Sequence, residues 1–220
     1  MRPPASRIVG LLLSALLLLA VACSDDDGDR GDTATSSTTE PSIPPDDPQL
    51  EPLLITAADL PGSYAAVEDV GDTVTTFCAG EDATAGLQAS GRAIVGFNRT
   101  TPGASVIHVV FRFREGDGPR FVQQAGEVLD RCSAVPDLSG LAFRYEPVAA
   151  PLEALLIGTD QHVARFGVSV GSESFTEQIA VFRHGEVAQL IAVLGADLPR
   201  ADLDALATAA FGAAAARSAG

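Results

Sequence analysis

The sequence predicts an α+β fold: a twisted antiparallel sheet with helices packed on one face, preceded by a cleaved signal segment and a disordered tether. Three observations carry that reading. At least six stretches have strand character, several joined by short turns. Two others place apolar residues at helical spacing, and the stretch from Ser24 to Glu51 shows neither pattern. The chain has 220 residues, 46% apolar and 20% charged, which gives room for one core and excludes wholesale disorder. All 14 basic residues are arginine and face 29 carboxylates, for a net charge of −15. Phosphate backbones and anionic headgroups need clustered cations, so nucleic acid is excluded as a partner and surface attraction to lipid is disfavoured.

Residues 1–22 read MRPPASRIVGLLLSALLLLAVA, with Arg2 and Arg7 ahead of a stretch from Ile8 to Ala22 broken only by Ser14. A charged start followed by a short apolar run is the layout of a secretory signal. A permanent span, which needs about 20 apolar residues, is the weaker reading. LAVAC follows, then SDDDGD. This resembles the lipobox of bacterial lipoproteins. The resemblance implies that the Cys23 thiol receives a diacylglyceryl group, that cleavage falls just before it, and that Cys23 becomes the first residue. Ala22 supplies the small residue at the cut, whereas Ala20 stands where the family prefers Leu, with Leu19 one position further back. Ordinary cleavage nearby, leaving Cys23 unmodified, is the alternative. Two or more acyl chains, at about 0.8 kcal/mol per buried CH₂, would hold the protein stably at the outer face of the cell membrane. Removing residues 1–22 leaves 198 residues carrying −17.

Residues 23–51 are expected to form the tether. From Ser24 to Glu51 there are nine acids, one Arg and runs of Thr, Ser and Pro, a composition that cannot offset its own ordering entropy. As a coil these 28 residues would span about 30 Å. The DDDGD run lacks the spacing and the closing Glu of a calcium loop, so it reads as a solvated spacer.

Residues 52–220 are expected to form the domain, with 11 Arg and 20 acids. Arg92–Arg99 is a strand candidate. Ala104–Arg114 alternates, with Ile107, Val109, Phe111 and Phe113 opposite His108, Arg112 and Arg114. Gly118-Pro119 opens a helix through Cys132, where Pro sits in the first turn and Phe121, Ala125, Val128, Leu129 and Cys132 share a face. Leu141–Pro147 is a further strand. In Gln161–Val170, Ala164, Phe166, Val168 and Val170 oppose Arg165 and Ser169. Ser174–His184 and Glu186–Leu194 meet at His184-Gly185, a tight hairpin. Arg200–Arg217 closes the chain as a helix with Leu203, Leu206, Ala207, Ala210, Phe211 and Ala214 in one stripe.

Once Cys23 is committed to lipid, Cys78 and Cys132 remain, in a compartment where thiols are oxidised. They are expected to form a disulfide closing a separation of 54 residues, worth about 4 kcal/mol on the chain-entropy model. Two buried free thiols are the other reading.

No catalytic residues are assigned and no metal or cofactor is expected. His108, His162 and His184 have no zinc-type spacing, and HExxH, CxxC, phosphate-loop and dinucleotide motifs are absent. A glycosidase-like carboxylate pair cannot be chosen among 20 acids. The candidate ligand-binding residues are His108, Arg112, Arg114 and Arg165, on the polar sides of two strands, where arginines could hold a carboxylate or phosphate in two-point contact. A solvated sheet face with arginines paired to nearby acids is the competing reading.

LLITAADLPGSY at 53–64, Cys78, the helix RFVQQAGEVLDRCS, and the hairpin IAVFRHGEVAQLIAVLG before an alanine-rich helix resemble the extracellular sensor domain of PknH-type serine/threonine kinases. Stand-alone actinobacterial lipoproteins share that domain. The resemblance covers about residues 50–217 and implies an antiparallel sheet with packed helices and a cleft for an extracytoplasmic ligand. It departs from the family in having two cysteines left for one bridge, where two can occur, and in lacking a kinase and a spanning helix. The expected function is a membrane-anchored, extracytoplasmic binding domain without catalysis. Its partners are the membrane, through lipid on Cys23, and a small molecule, cell-wall component or envelope protein. A carrier of lipids or other apolar molecules is the alternative, and a hydrolase of envelope polymers is a third, less favoured reading.

Overall fold

The computed structural model describes residues 44–68, 70, 76–77, 81–132, 134–135, 143–148, 160–170, 172–196 and 198–218. The signal segment, Cys23, the tether as far as residue 43, and Cys78 lie outside the described residues. In chain order the elements are β1 (Ala65–Val67), β2 (Thr76–Phe77), β3 (Glu81–Asp82), β4 (Ala89–Thr100), β5 (Gly103–Phe113) and α1 (Asp117–Asp130). They continue with β6 (Ala134–Val135), β7 (Phe143–Pro147), β8 (Asp160–Val170), β9 (Glu173–His184), β10 (Val187–Gly195) and α2 (Arg200–Ser218). Eight strands form one antiparallel sheet in the order β1-β4-β5-β10-β9-β8-β7-β6, and β2 and β3 pair separately.

The long central strands are built from β-branched and aromatic residues, and their register fixes which side chains share a face. Val109, Leu190 and Val181 lie in one cross-strand row; His108, Ile191 and Ala180 lie in the next and point the other way. On the first face, Ile107, Phe111, Phe113, Phe166, Val168 and Ile179 pack against α1. Phe121 of that helix stacks on Phe113 with ring centroids 5.1 Å apart. On the second face, Val106, Phe182, Ile191 and Val193 pack against Leu203, Leu206, Ala210 and Phe211 of α2.

The α+β class and the antiparallel sheet stand, but the two helices take opposite faces rather than sharing one. The physical reason is visible in β5. Ala104, Val106 and Val110 lie on the same side as His108 and Arg112, so that side is largely apolar too and must also be covered.

The boundary between tether and domain also moves. Residues 45–60 run as a strap over the second face. Asp47 N–H donates to the Arg92 carbonyl at 2.7 Å, and Arg92 N–H donates to the Pro45 carbonyl at 2.9 Å. Gly91 permits this approach, since a Cβ there would lie 2.7 Å from Asp47 Cβ. Leu50 is fully buried against Ala93 and Val110, followed by short 3-10 turns at Glu51–Leu53 and Ala57–Asp59. The domain therefore takes in residues 45–51, which composition alone places in the tether.

The start of α1 is fixed by the hairpin between β9 and β10. Gly185 has φ 61° at the turn, a backbone conformation glycine adopts freely. The neighbouring Glu186 carboxylate accepts the N–H groups of Gly116 (3.2 Å) and Gly118 (3.1 Å), placing an anion on the helix N-terminus. One end of α1 is thereby tied to the sheet, which positions its outer side above β8.

Candidate functional site

The structure does not bring the four sequence-predicted ligand residues together on an open face. His108 is fully buried beneath α2 and the strap. Its Nδ1 accepts the Ile55 N–H at 3.1 Å, which leaves the proton on Nε2, donated to Gln189 Oε1 at 2.8 Å. Gln189 in turn donates to Ser218 Oγ, and Ser218 donates to the Ala214 carbonyl at 3.0 Å. Burial, aided by the Arg217 charge, lowers the His108 pKa to about 4, against the opposing pull of Gln189.

Arg165 is equally enclosed. Its side chain is 2% exposed and donates through Nη2 to Asp204 Oδ1, which also accepts Gln178 Nε2 at 2.9 Å. Arg112 reaches back to the strap, with Nη1 3.1 Å from Gln49 Oε1 and 3.3 Å from Asp47 Oδ2. Arg114 lies past the end of β5, exposed, with its backbone N–H on the Gln88 carbonyl. His108, Arg165 and Arg112 brace the sheet, the strap and α2, and the four residues do not line a common cleft. The sequence had shown their alternation correctly but not that a helix covers the face they share.

A different set of residues forms a concave surface. Between α1 and the start of β8 lies a groove of about 650 Å³, lined by Pro119, Val122, Gln123, Gly126, Glu127, Asp130, Asp160, Gln161 and His162. His162 is the polar residue at the end of a row whose later members, Ala164, Phe166 and Val168, pack into the core. Its ring rests on Gly126, where a Cβ would lie 3.1 Å from Nδ1, and its Nε2 is 3.3 Å from Asp130 Oδ1. Gln123 Nε2 donates to Glu127 Oε1 at 2.9 Å, and Arg183 Nε donates to Asp160 Oδ2 at 2.6 Å. Arg183 is tied further to the Gly185 carbonyl at 3.0 Å.

The groove offers carboxylate acceptors, amides that both donate and accept, and an imidazole, and none of its nine lining residues is Arg or Lys. Its size falls in the range of small-molecule sites, roughly 300–1,000 Å³. Such a lining can hydrogen-bond hydroxyls and amines. Sequence reasoning missed this surface because its residues come from separate elements. The available signals were a glycine on the buried stripe of a helix and a histidine leading an otherwise apolar strand row. Among the described residues, no cluster of three metal-ligating side chains occurs, and no helix is long and apolar enough to cross a membrane.

Fold and groove together define an antiparallel α+β domain, helix-covered on both faces, with a polar depression beside one helix. Among solved structures, the chain is similar to the crystal structure of the extracellular domain of PknH from Mycobacterium tuberculosis. The two share 14% identity over 78% of this chain and 98% of that one, with a TM-score of 0.45. No protein-family model matches the chain, and no curated protein matches it.

Proposed function

We propose that this chain is a lipid-anchored extracytoplasmic binding domain, held at the outer face of the cell membrane through acylated Cys23, that takes a small polar ligand in the groove between α1 and β8 without transforming it. The groove carries the reading: a volume of about 650 Å³ whose lining is rich in hydrogen-bonding groups and contains neither Arg nor Lys. A hydroxyl-rich or amine-bearing molecule, such as a cell-wall fragment, has the matching chemistry. The LAVAC motif and the acidic segment after it support the anchor and the spacer. Cys78 and Cys132 form the staple in this reading; Cys132 is buried at the end of α1.

The test is native mass spectrometry of the mature protein extracted from membranes, alongside a His162→Ala/Asp130→Ala double variant. A co-purifying polar species that the double variant loses, while keeping its fold, is expected. Recovery of bound lipid that the double variant retains would contradict the groove assignment and favour a carrier.

A further inference from the structure

We propose that His108 is the acid-sensitive pin of the strap at residues 45–60 and of the last turn of α2: adding a proton to its ring releases both from the sheet. The geometry makes the ring a junction between three parts of the chain. It stands on β5, receives the Ile55 N–H from the strap, and through Gln189 on β10 reaches Ser218 at the end of α2. Both ring nitrogens are engaged, and the one facing the strap is the acceptor.

A proton on Nδ1 sets a donor against the Ile55 N–H, so that bond cannot persist. It also places a positive charge in a fully buried site. The surrounding elements do little to neutralise that charge. The strap brings Asp59, but Asp59 is already engaged by Arg217 Nη2 at 2.6 Å and by the Thr56 N–H and hydroxyl. α2 brings Arg217 itself, which repels an imidazolium. Further along the same face, Arg112 of β5 is matched to Asp47 of the strap, and Arg165 of β8 to Asp204 of α2. The residues paired with His108 on β4 and β10, Val95 and Ile191, are apolar.

Release relieves the problem because the strap and the helix end are the covers that keep water from the ring. The opened state binds a proton with the ordinary affinity of a solvated imidazole, near pH 6.5, whereas the closed state resists it until about pH 4. Opening therefore gains as pH falls through that interval and is suppressed above it. From pH 6.5 to pH 5 the linkage predicts an increase in the opening equilibrium of about fifteenfold.

The experiment is amide hydrogen exchange by NMR on the mature full chain between pH 7 and pH 5, following the Ile55 amide after correction for its intrinsic exchange rate. Opening at Ile55 is expected to rise about fifteenfold between pH 6.5 and pH 5. In His108→Gln, where a neutral amide oxygen can accept the same N–H, that rise should vanish. Equal protection across the range in the natural chain, or a rise that persists in a folded His108→Gln, overturns the proposal. Should His108→Gln not fold, the His108 ring resonances of the natural chain decide. A midpoint well below 6.5 with the Ile55 amide moving in step supports the pin, and an ordinary midpoint with Ile55 unmoved overturns it.

Discussion

Arg165 on β8 and Asp204 near the start of α2 form an ion pair in which the guanidinium is almost wholly enclosed while the carboxylate keeps 31% of its surface in solvent. The two partners are therefore not equivalent. Removing Asp204 leaves a buried cation; removing Arg165 leaves an anion that water can reach. Asp204→Ala should cost about 2–3 kcal/mol, less than a fully buried pair would lose, and Arg165→Met about 1 kcal/mol or less. Urea unfolding of both variants checks the asymmetry, and equal losses would contradict it.

The strap gives a second prediction. Leu50 is fully buried although composition places it in the tether, so Leu50→Ala should destabilise the domain by about 2–3 kcal/mol. A true spacer residue would change stability by no more than about 0.5 kcal/mol. Chemical denaturation distinguishes the two.

Glu177 on β9 gives a pH prediction with the opposite sign to that of His108. It lies on the α1 side of the sheet, two residues before Ile179, and burial pushes its carboxyl up to about 7. The folded chain thus holds a proton that the unfolded chain releases above its ordinary pKa of 4.5. Its native environment is fully tolerated below pH 4.5, and stability is lost as pH rises from there through 7. Glu177→Gln should leave stability at pH 4 nearly unchanged and raise it at pH 8 by about 2–3 kcal/mol. Denaturant midpoints at the two pH values check this, and an equal shift at both would contradict it.

Much of this fold was legible because its elements are strongly periodic. β5, β8, β9, β10 and both helices fall within a few residues of where alternation and helical spacing place them. What could not be read was how many faces of the sheet needed cover. His108 and Arg112 drew attention to a polar side, while Val106 and Val110 between and beside them made that side apolar enough to require α2. The large apolar residues of the strap, Leu50, Leu53, Leu54, Ile55 and Leu60, are too few to establish a period, and the place of Leu50 in the domain became visible only through packing. The groove depends on the chance meeting of Asp130, Asp160 and His162 from α1 and β8, a relation set by tertiary structure.

The anchor is tested most directly by the intact mass of the mature protein extracted from membranes, measured with and without reductant. The account predicts a polypeptide beginning at Cys23, heavier by a diacylglyceryl group and its amino-terminal acylation or by the former alone. A Cys78–Cys132 bridge makes it two hydrogens lighter before reduction than after. A freely released polypeptide with an unmodified Cys23, or one retaining residues 1–22, would contradict the account.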